Sequence, residues 1–303
     1  MQFLSASARA AYHPAKQPYV KDSMTLEQLL SIVLIVTASG FLLLAARLAA
    51  APKAVGVVPM AVLFAVISFW VAGGAIELLA TSFSTFSIGR TGHFIGTALV
   101  PIVALIFFRE YTQSQTRSST LLLLSVIPLV SISLAATNVN HEFMWYLPAT
   151  NEAGEFLTRP EHWGPWFLFV HLPYSYLLIG FAILGLMTRS SAVPPAQRRG
   201  MYLLAAACVL PLLSTVAYDL GVGPNTVSFV PFFFAVCLPA YVWLVFGAKI
   251  FDLVPLSYEA VFQNIADPVI VIDDQYRVIG LNLGAERMIG KTESEALRQP
   301  LDA

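Results

Sequence analysis

Residues 55–79 read VGVVPMAVLFAVISFWVAGGAIELL, a run of 25 residues with a single charge, Glu77, near its end. A helix rises about 1.5 Å per residue, so roughly 20 apolar residues cross the hydrocarbon core of a bilayer. The run therefore reads as a membrane-spanning helix. A carboxylate inside such a span is costly and usually faces a bundle interior or a cavity. Glu77 is expected to be buried and functional, the alternative being that it sits close enough to the helix end to reach water.

Six more apolar runs surround this one: Thr25–Leu48, Phe94–Phe108 (the shortest), Thr120–Ala136, Trp166–Met187, Met201–Tyr218 and Val227–Phe246. Composition points the same way. The chain is 57% hydrophobic and 12% charged, with mean hydropathy +0.72, against roughly 45–50% and about 25% in soluble domains. A net charge of −1 gives no reason to expect a nucleic-acid partner. The expected fold is an all-α membrane bundle of seven transmembrane helices over residues 25–247, after a leader at 1–24. Pro101, Pro173, Pro211, Pro231 and Pro239 fall inside spans, where bundles tolerate them as kinks or as ordinary packing.

Orientation follows from Lys and Arg in short loops. The loops after the first, third and fifth spans hold seven: Arg47, Lys53, Arg109, Arg117, Arg189, Arg198 and Arg199. Those after the second, fourth and sixth hold two, Arg90 and Arg159. The N-terminus is expected outside and the C-terminus in the cytoplasm, with the chain in the inner membrane. Arg9, Lys16 and Lys21 run against this. The leader has no continuous apolar stretch, so it does not read as a convincing signal peptide, and a start at Met24 would remove the conflict.

Polar groups gather at the expected outer end. The loop Thr137–Gly164 is rich in Trp and Tyr, which suits either an interfacial belt or a lid over a pocket. The candidate ligand-binding set is Glu77, Asn138, His141, His171, Tyr174 and Asp219, with a lipid-facing bundle around it and a small-molecule signal as the implied partner. His171 and Tyr174 are three apart and share a helix face. Cys208 and Cys237 lie in apolar runs and read as core residues. No His or Cys spacing of a metal site is present. Retinal is disfavoured because the last span carries no Lys; Lys249 lies beyond it. No cofactor is expected.

The character changes after Phe246. Residues 248–257 form a short amphipathic linker. Tyr258–Ile265 reads as a helix, Pro268–Ile272 and Tyr276–Asn282 as a hairpin joined by Asp273-Asp274-Gln275, and Ala285–Ile289 as a helix stopped by Gly290. An α+β domain thus opens at 258. Two strands bury too little apolar surface to be stable alone, so residues 258–303 are expected to be part of a larger domain in a longer protein.

The block Ile265-Ala266-Asp267-Pro268-Val269-Ile270-Val271-Ile272-Asp273, with Arg277, Val278, Asn282, Ala285 and Gly290, resembles the opening of a PAS domain. The bundle resembles the seven-helix N-terminal region of bacterial and archaeal sensor histidine kinases. The resemblance rests on Trp70 with Glu77, Pro101–Phe108 and Tyr111, Thr137-Asn138 with His141 and Trp145, and Gly164-Pro165 before Tyr174 and Tyr176. Arg198, Pro211, Asp219, Gly221 and Ile250–Pro255 complete it. It implies a homodimeric receptor passing its state through a linker helix and PAS domain to a histidine kinase or a diguanylate cyclase. Leu256 and Ser257 depart from the small residue and Arg expected after Pro255. No phosphoacceptor region is present, so no catalysis is assigned to these residues. The alternatives are a small-molecule transporter, against which stand the missing internal repeat and the PAS-like tail, and an intramembrane enzyme, for which no nucleophile and base are visible.

Overall fold

Thr25 starts the first helix with a reciprocal cap. Its Oγ accepts from Gln28 N at 3.3 Å, and Gln28 Oε1 accepts from Thr25 N at 3.0 Å. This capping box satisfies two of the donors that a helix start leaves free. The computed structural model describes residues 24–50, 55–111, 118–146, 156–160, 162–189, 195–247, 262–297 and 299–300. The leader before Met24, the linker 248–257 and the first residues of the tail helix lie outside the described residues.

Among the described residues of the bundle, seven long helices follow one another: α1 Leu26–Ala49, α2 Val57–Leu78, α3 Phe83–Tyr111, α4 Ser118–Ala136, α5 Leu172–Arg189, α6 Pro195–Asp219 and α7 Val230–Phe246. Among the described residues, six apolar helical stretches are long enough to cross a membrane, and α7 is a shorter apolar helix.

The third span was expected over Phe94–Phe108 as the shortest. It is instead the longest helix, 29 residues from Phe83. Ser87, Arg90, Thr91 and His93 lower its hydropathy, yet Gly89, Arg90 and Gly92 are buried against α2. Arg90, read as a loop cation, is therefore inside a helix. Pro231 occupies the first turn of α7, where the missing N–H costs nothing, so it is no kink.

Contacts run α1–α2, α2–α3, α3–α5, α5–α6, α6–α7 and α7–α1, closing a ring. Helix α4 lies outside it, against α3 and the start of α5. Burial agrees: 61% of the most apolar window is buried in α2 and in α3, against 17% in α4. Leu122, Leu123 and Leu129 of α4 and Leu42 and Leu43 of α1 face outward, as lipid-facing residues do.

Glycine decides how closely α2 and α3 approach. A Cβ on Gly73 would lie 2.5 Å from His93 N, one on Gly89 2.6 Å from Glu77 N, and one on Gly96 2.2 Å from Trp70 Cβ. Small residues at membrane-helix interfaces permit this backbone approach.

The tail holds β1 Ile270–Ile272 antiparallel to β2 Val278–Leu281, then α8 Leu283–Ile289 and α9 Glu293–Ala296. The hairpin connection is five residues, 273–277, not three. Asp273 Oδ1 accepts from Gln275 N at 2.9 Å and Arg277 N at 2.8 Å, so the side chain builds the turn itself. Gly290, at φ 72°, ends α8.

Candidate functional site

The close approach of α2 and α3 brings three ionisable side chains together. Glu77 Oε1 lies 3.4 Å from Arg90 Nε, and Glu77 Oε2 lies 3.6 Å from His93 Nδ1. The Glu77 and Arg90 side chains are 2% and 1% exposed. Arg90 Nη2 donates to Leu157 O at 2.8 Å and also to Thr158 O. Its guanidinium lies over the rings of Phe86 and Trp145, 4.9 and 5.0 Å from their centroids. One cation thus has a carboxylate, two carbonyls and two aromatic faces, the set of compensations that a buried charge requires.

Residues 156–160 form a strap from this cluster to the far side of the ring. Thr158 Oγ accepts from Tyr218 OH at 2.9 Å and donates to Asn225 O at 3.1 Å. Arg159 donates to Tyr218 O, Val222 O and Gly223 O, at 3.0 to 3.2 Å. The strap therefore ties α3 to the end of α6.

Helix α5 is preceded by a π-helical turn, Phe167–His171, a wide-turn form frequent at functional sites. It carries His171 inward to 3% exposure. The imidazole stacks on Phe167, centroids 5.5 Å apart, and meets Phe94 at 6.1 Å. Further along, Tyr176 OH donates to Asp219 Oδ2 at 2.6 Å.

These elements enclose a mainly apolar cavity of about 120 Å³, close to the ~150 Å³ of an engineered cavity that binds benzene. Leu63, Ile67, Val100, Phe94 and Phe234 supply much of its wall. Among the described residues, Trp70 Nε1, Arg90 Nη1, His93 Nδ1, His171 Nδ1 and Ser175 Oγ are buried polar atoms without a hydrogen-bond partner, and all five residues line this cavity. Buried polar groups in folded proteins almost always have partners. Five such exceptions around one cavity mark a place equipped to bind something.

The N-terminal 7TM region of histidine kinase matches residues 29–255, and a PAS domain matches residues 256–302. The chain belongs to the histidine kinase N-terminal 7TM family. No protein of curated function and no solved structure matches it. The cavity lies within the 7TM region, and that region joined to a PAS domain makes the chain a multi-pass membrane sensor input module.

The 7TM region brings Glu77, His171 and Asp219 to the cavity wall. It places the other three candidates elsewhere. Asn138 is 2% exposed; its side chain donates to Trp145 O at 2.8 Å and accepts from Met144 N at 2.9 Å, clipping its own loop. His141 uses both ring nitrogens nearby, with Thr137 Oγ at 3.0 Å and Phe143 N at 3.1 Å. Tyr174 OH donates to Leu124 O at 2.8 Å and joins α5 to α4. Sequence reading missed Arg90, His93 and Ser175. The available signal was Arg90 and His93 at i, i+3, one face of a helix, a short turn away from a carboxylate already expected to be buried. Among the described residues no group of three or more His, Cys, Asp or Glu side chains could hold a metal ion.

Proposed function

We propose that this 7TM region senses a small molecule held in the central cavity and relays its occupancy through α7, the linker and the PAS domain to a downstream histidine kinase or diguanylate cyclase. The observation that carries the reading is that five residues with a buried polar atom lacking a hydrogen bond line one cavity in a family of sensor regions.

Helix α7 is the natural reporter of occupancy. Phe234 and Tyr241 line the cavity from α7, and α7 leads directly into the linker. Tyr241 OH donates to Ala207 O at 3.0 Å, and Phe234 packs edge-on against Trp70 at 5.1 Å. A ligand shifts a two-state bundle only through its different affinities for the two packings. Two hydrogen bonds of about 1 kcal/mol each, made in one state only, shift the balance about thirty-fold.

Seven crossings with the N-terminus outside fit the basic residues. With Arg90 well inside α3, the helix ends and loops on the expected cytoplasmic side hold seven Lys and Arg, five of them in end turns of helices, against Arg159 alone on the other side. In this reading the bundle sits in the inner membrane, the PAS domain lies in the cytoplasm beside its output, and the receptor is a homodimer, as the family resemblance implies.

The test is to fill the cavity without touching its charges. Ser175→Leu in the full-length receptor, read by an output reporter, should lock signalling on or off at unchanged membrane abundance. A wild-type response would refute the cavity as the input site.

A further inference from the structure

Resting on the reading of the cavity as an input site, we infer that its ligand is a neutral, lipid-soluble molecule built on one flat ring with hydrogen-bond acceptors at two separated positions, the chemistry of a quinone head group. The polar atoms decide the acceptors. An indole N–H and a guanidinium N–H can only donate. Trp70 Nε1 and Arg90 Nη1 are both buried without a partner, so a ligand that satisfies them must accept.

The second position follows from where the other unpartnered atoms sit. Trp70, Arg90 and His93 belong to α2 and α3, whereas His171 and Ser175 come from the π-turn and α5. His171 Nδ1 and Ser175 Oγ can each donate as well as accept, so a second acceptor on the same rigid frame is met by their N–H and O–H forms.

Charge decides that the acceptors are carbonyls rather than carboxylates. Arg90 already faces Glu77 at 3.4 Å, and Asp219 is a second acid on the wall. A third carboxylate would enter a low-dielectric space with no Lys or Arg besides Arg90 among the described residues that line it, where an uncompensated charge is heavily penalised. A ring carbonyl accepts the same hydrogen bonds without a net charge.

Size and lining decide the flat ring. The cavity of about 120 Å³ is faced by Trp70, Phe94, Phe167 and Phe234. Aromatic rings favour offset-stacked or edge-to-face partners, which a planar ligand supplies.

The experiment uses the full chain in lipid nanodiscs and three probes of one shape: tetramethyl-1,4-benzoquinone, 1,2,4,5-tetramethylbenzene and 2,3,5,6-tetramethylbenzoate. The fully substituted quinone has no free ring position for the thiols of Cys208 and Cys237 to add to. Equilibrium dialysis, with empty nanodiscs subtracted, reads the affinity of each. The quinone should bind saturably and at least tenfold more tightly than the hydrocarbon. Trp70→Phe keeps a ring and deletes the N–H; it should weaken quinone binding about five- to tenfold, the worth of one hydrogen bond, and leave the hydrocarbon unchanged. If Trp70→Phe does not fold, Ser175→Ala carries the same comparison. Equal binding of quinone and hydrocarbon overturns the inference, as does tightest binding of the benzoate or indifference of the quinone to both variants. The assay is independent of signalling. Should the quinone fail while Ser175→Leu still alters output, the ligand class falls and the input site stands. Should it bind while Ser175→Leu leaves output untouched, the reverse holds.

Discussion

Glu77 Oε1 and Arg90 Nε sit 3.4 Å apart on two helices joined by a tight turn, and both side chains are almost wholly removed from the surface. The pair does more than neutralise itself. Through Arg90 Nη2 it anchors the strap at Leu157 and Thr158. Glu77 thereby sets the position of a loop 80 residues further on in Leu157.

Removing one member of this pair leaves the other charge buried and uncompensated. Glu77→Gln is expected to cost about 3–5 kcal/mol, the range for a broken buried ion pair, and Arg90→Met about the same. The double variant should regain much of the loss, because no charge remains. It should not regain all of it, since the strap carbonyls lose their donor. Chemical unfolding in detergent, run as a double-mutant cycle, measures this. Additive losses would show that the two side chains do not act as a pair.

How far the sequence discloses this arrangement differs between its parts. Long apolar runs are legible because a bilayer demands them, so most of the spans and the hairpin tail read directly. Helix α3 reads as too short from hydropathy because its first turns are polar. Hydropathy measures transfer to lipid, whereas Arg90 and His93 face α2 and never meet lipid. The candidate site split for a similar reason. Glu77, His171 and Asp219 can be seen as costly polar residues in or near spans. That Asn138 and His141 close hydrogen bonds within their own loop, while the Ser175 hydroxyl and the Trp70 indole N–H have no hydrogen-bond partner, depends on three-dimensional placement that spacing does not encode.

The glycines between α2 and α3 are expected to be intolerant. A Cβ at Gly89 would lie 2.6 Å from Glu77 N, a backbone atom that cannot turn aside. Gly89→Ala must therefore push the helices apart and disturb the Glu77–Arg90 distance. Gly180 of α5 has nothing within 4 Å of the same added atom. Gly180→Ala should be neutral or gain a few tenths of a kcal/mol from helix propensity. Thermal unfolding in detergent should show a drop of several degrees for the first and none for the second.

Arg159 is expected to hold the end of α6 as a fork. It donates to Tyr218 O, Val222 O and Gly223 O and lies 5.3 Å from the Tyr218 ring centroid. Lysine has no planar fork to span three carbonyls. Arg159→Lys should accordingly resemble Arg159→Ala, each costing about 1–2 kcal/mol as hydrogen bonds to a charged donor are lost. Faster hydrogen exchange over residues 220–225 in both variants is the expected readout, and full protection in the lysine variant would contradict it.

The strongest local test in the PAS region falls on Asn282. It is fully buried, and its side chain makes four hydrogen bonds. Its Oδ1 accepts from Val269 N and Ala285 N, each at 2.8 Å, and its Nδ2 donates to Ile265 O at 3.0 Å and Asp267 O at 2.8 Å. One amide thus caps α8, holds the residue before β1 and fastens the segment leading into it. Asn282→Ala removes all four and leaves buried backbone groups unpaired, at about 1–3 kcal/mol for each unsatisfied group that water does not reach. Asn282→Asp keeps an acceptor for the two N–H groups but turns the donor side into an oxygen facing two carbonyls. The alanine variant should lose exchange protection across residues 265–290 as a unit. The aspartate variant should keep the α8 cap and lose protection mainly at 265–269. If both variants lose protection only at α8, the side chain is a simple helix cap and the tie to β1 carries little energy.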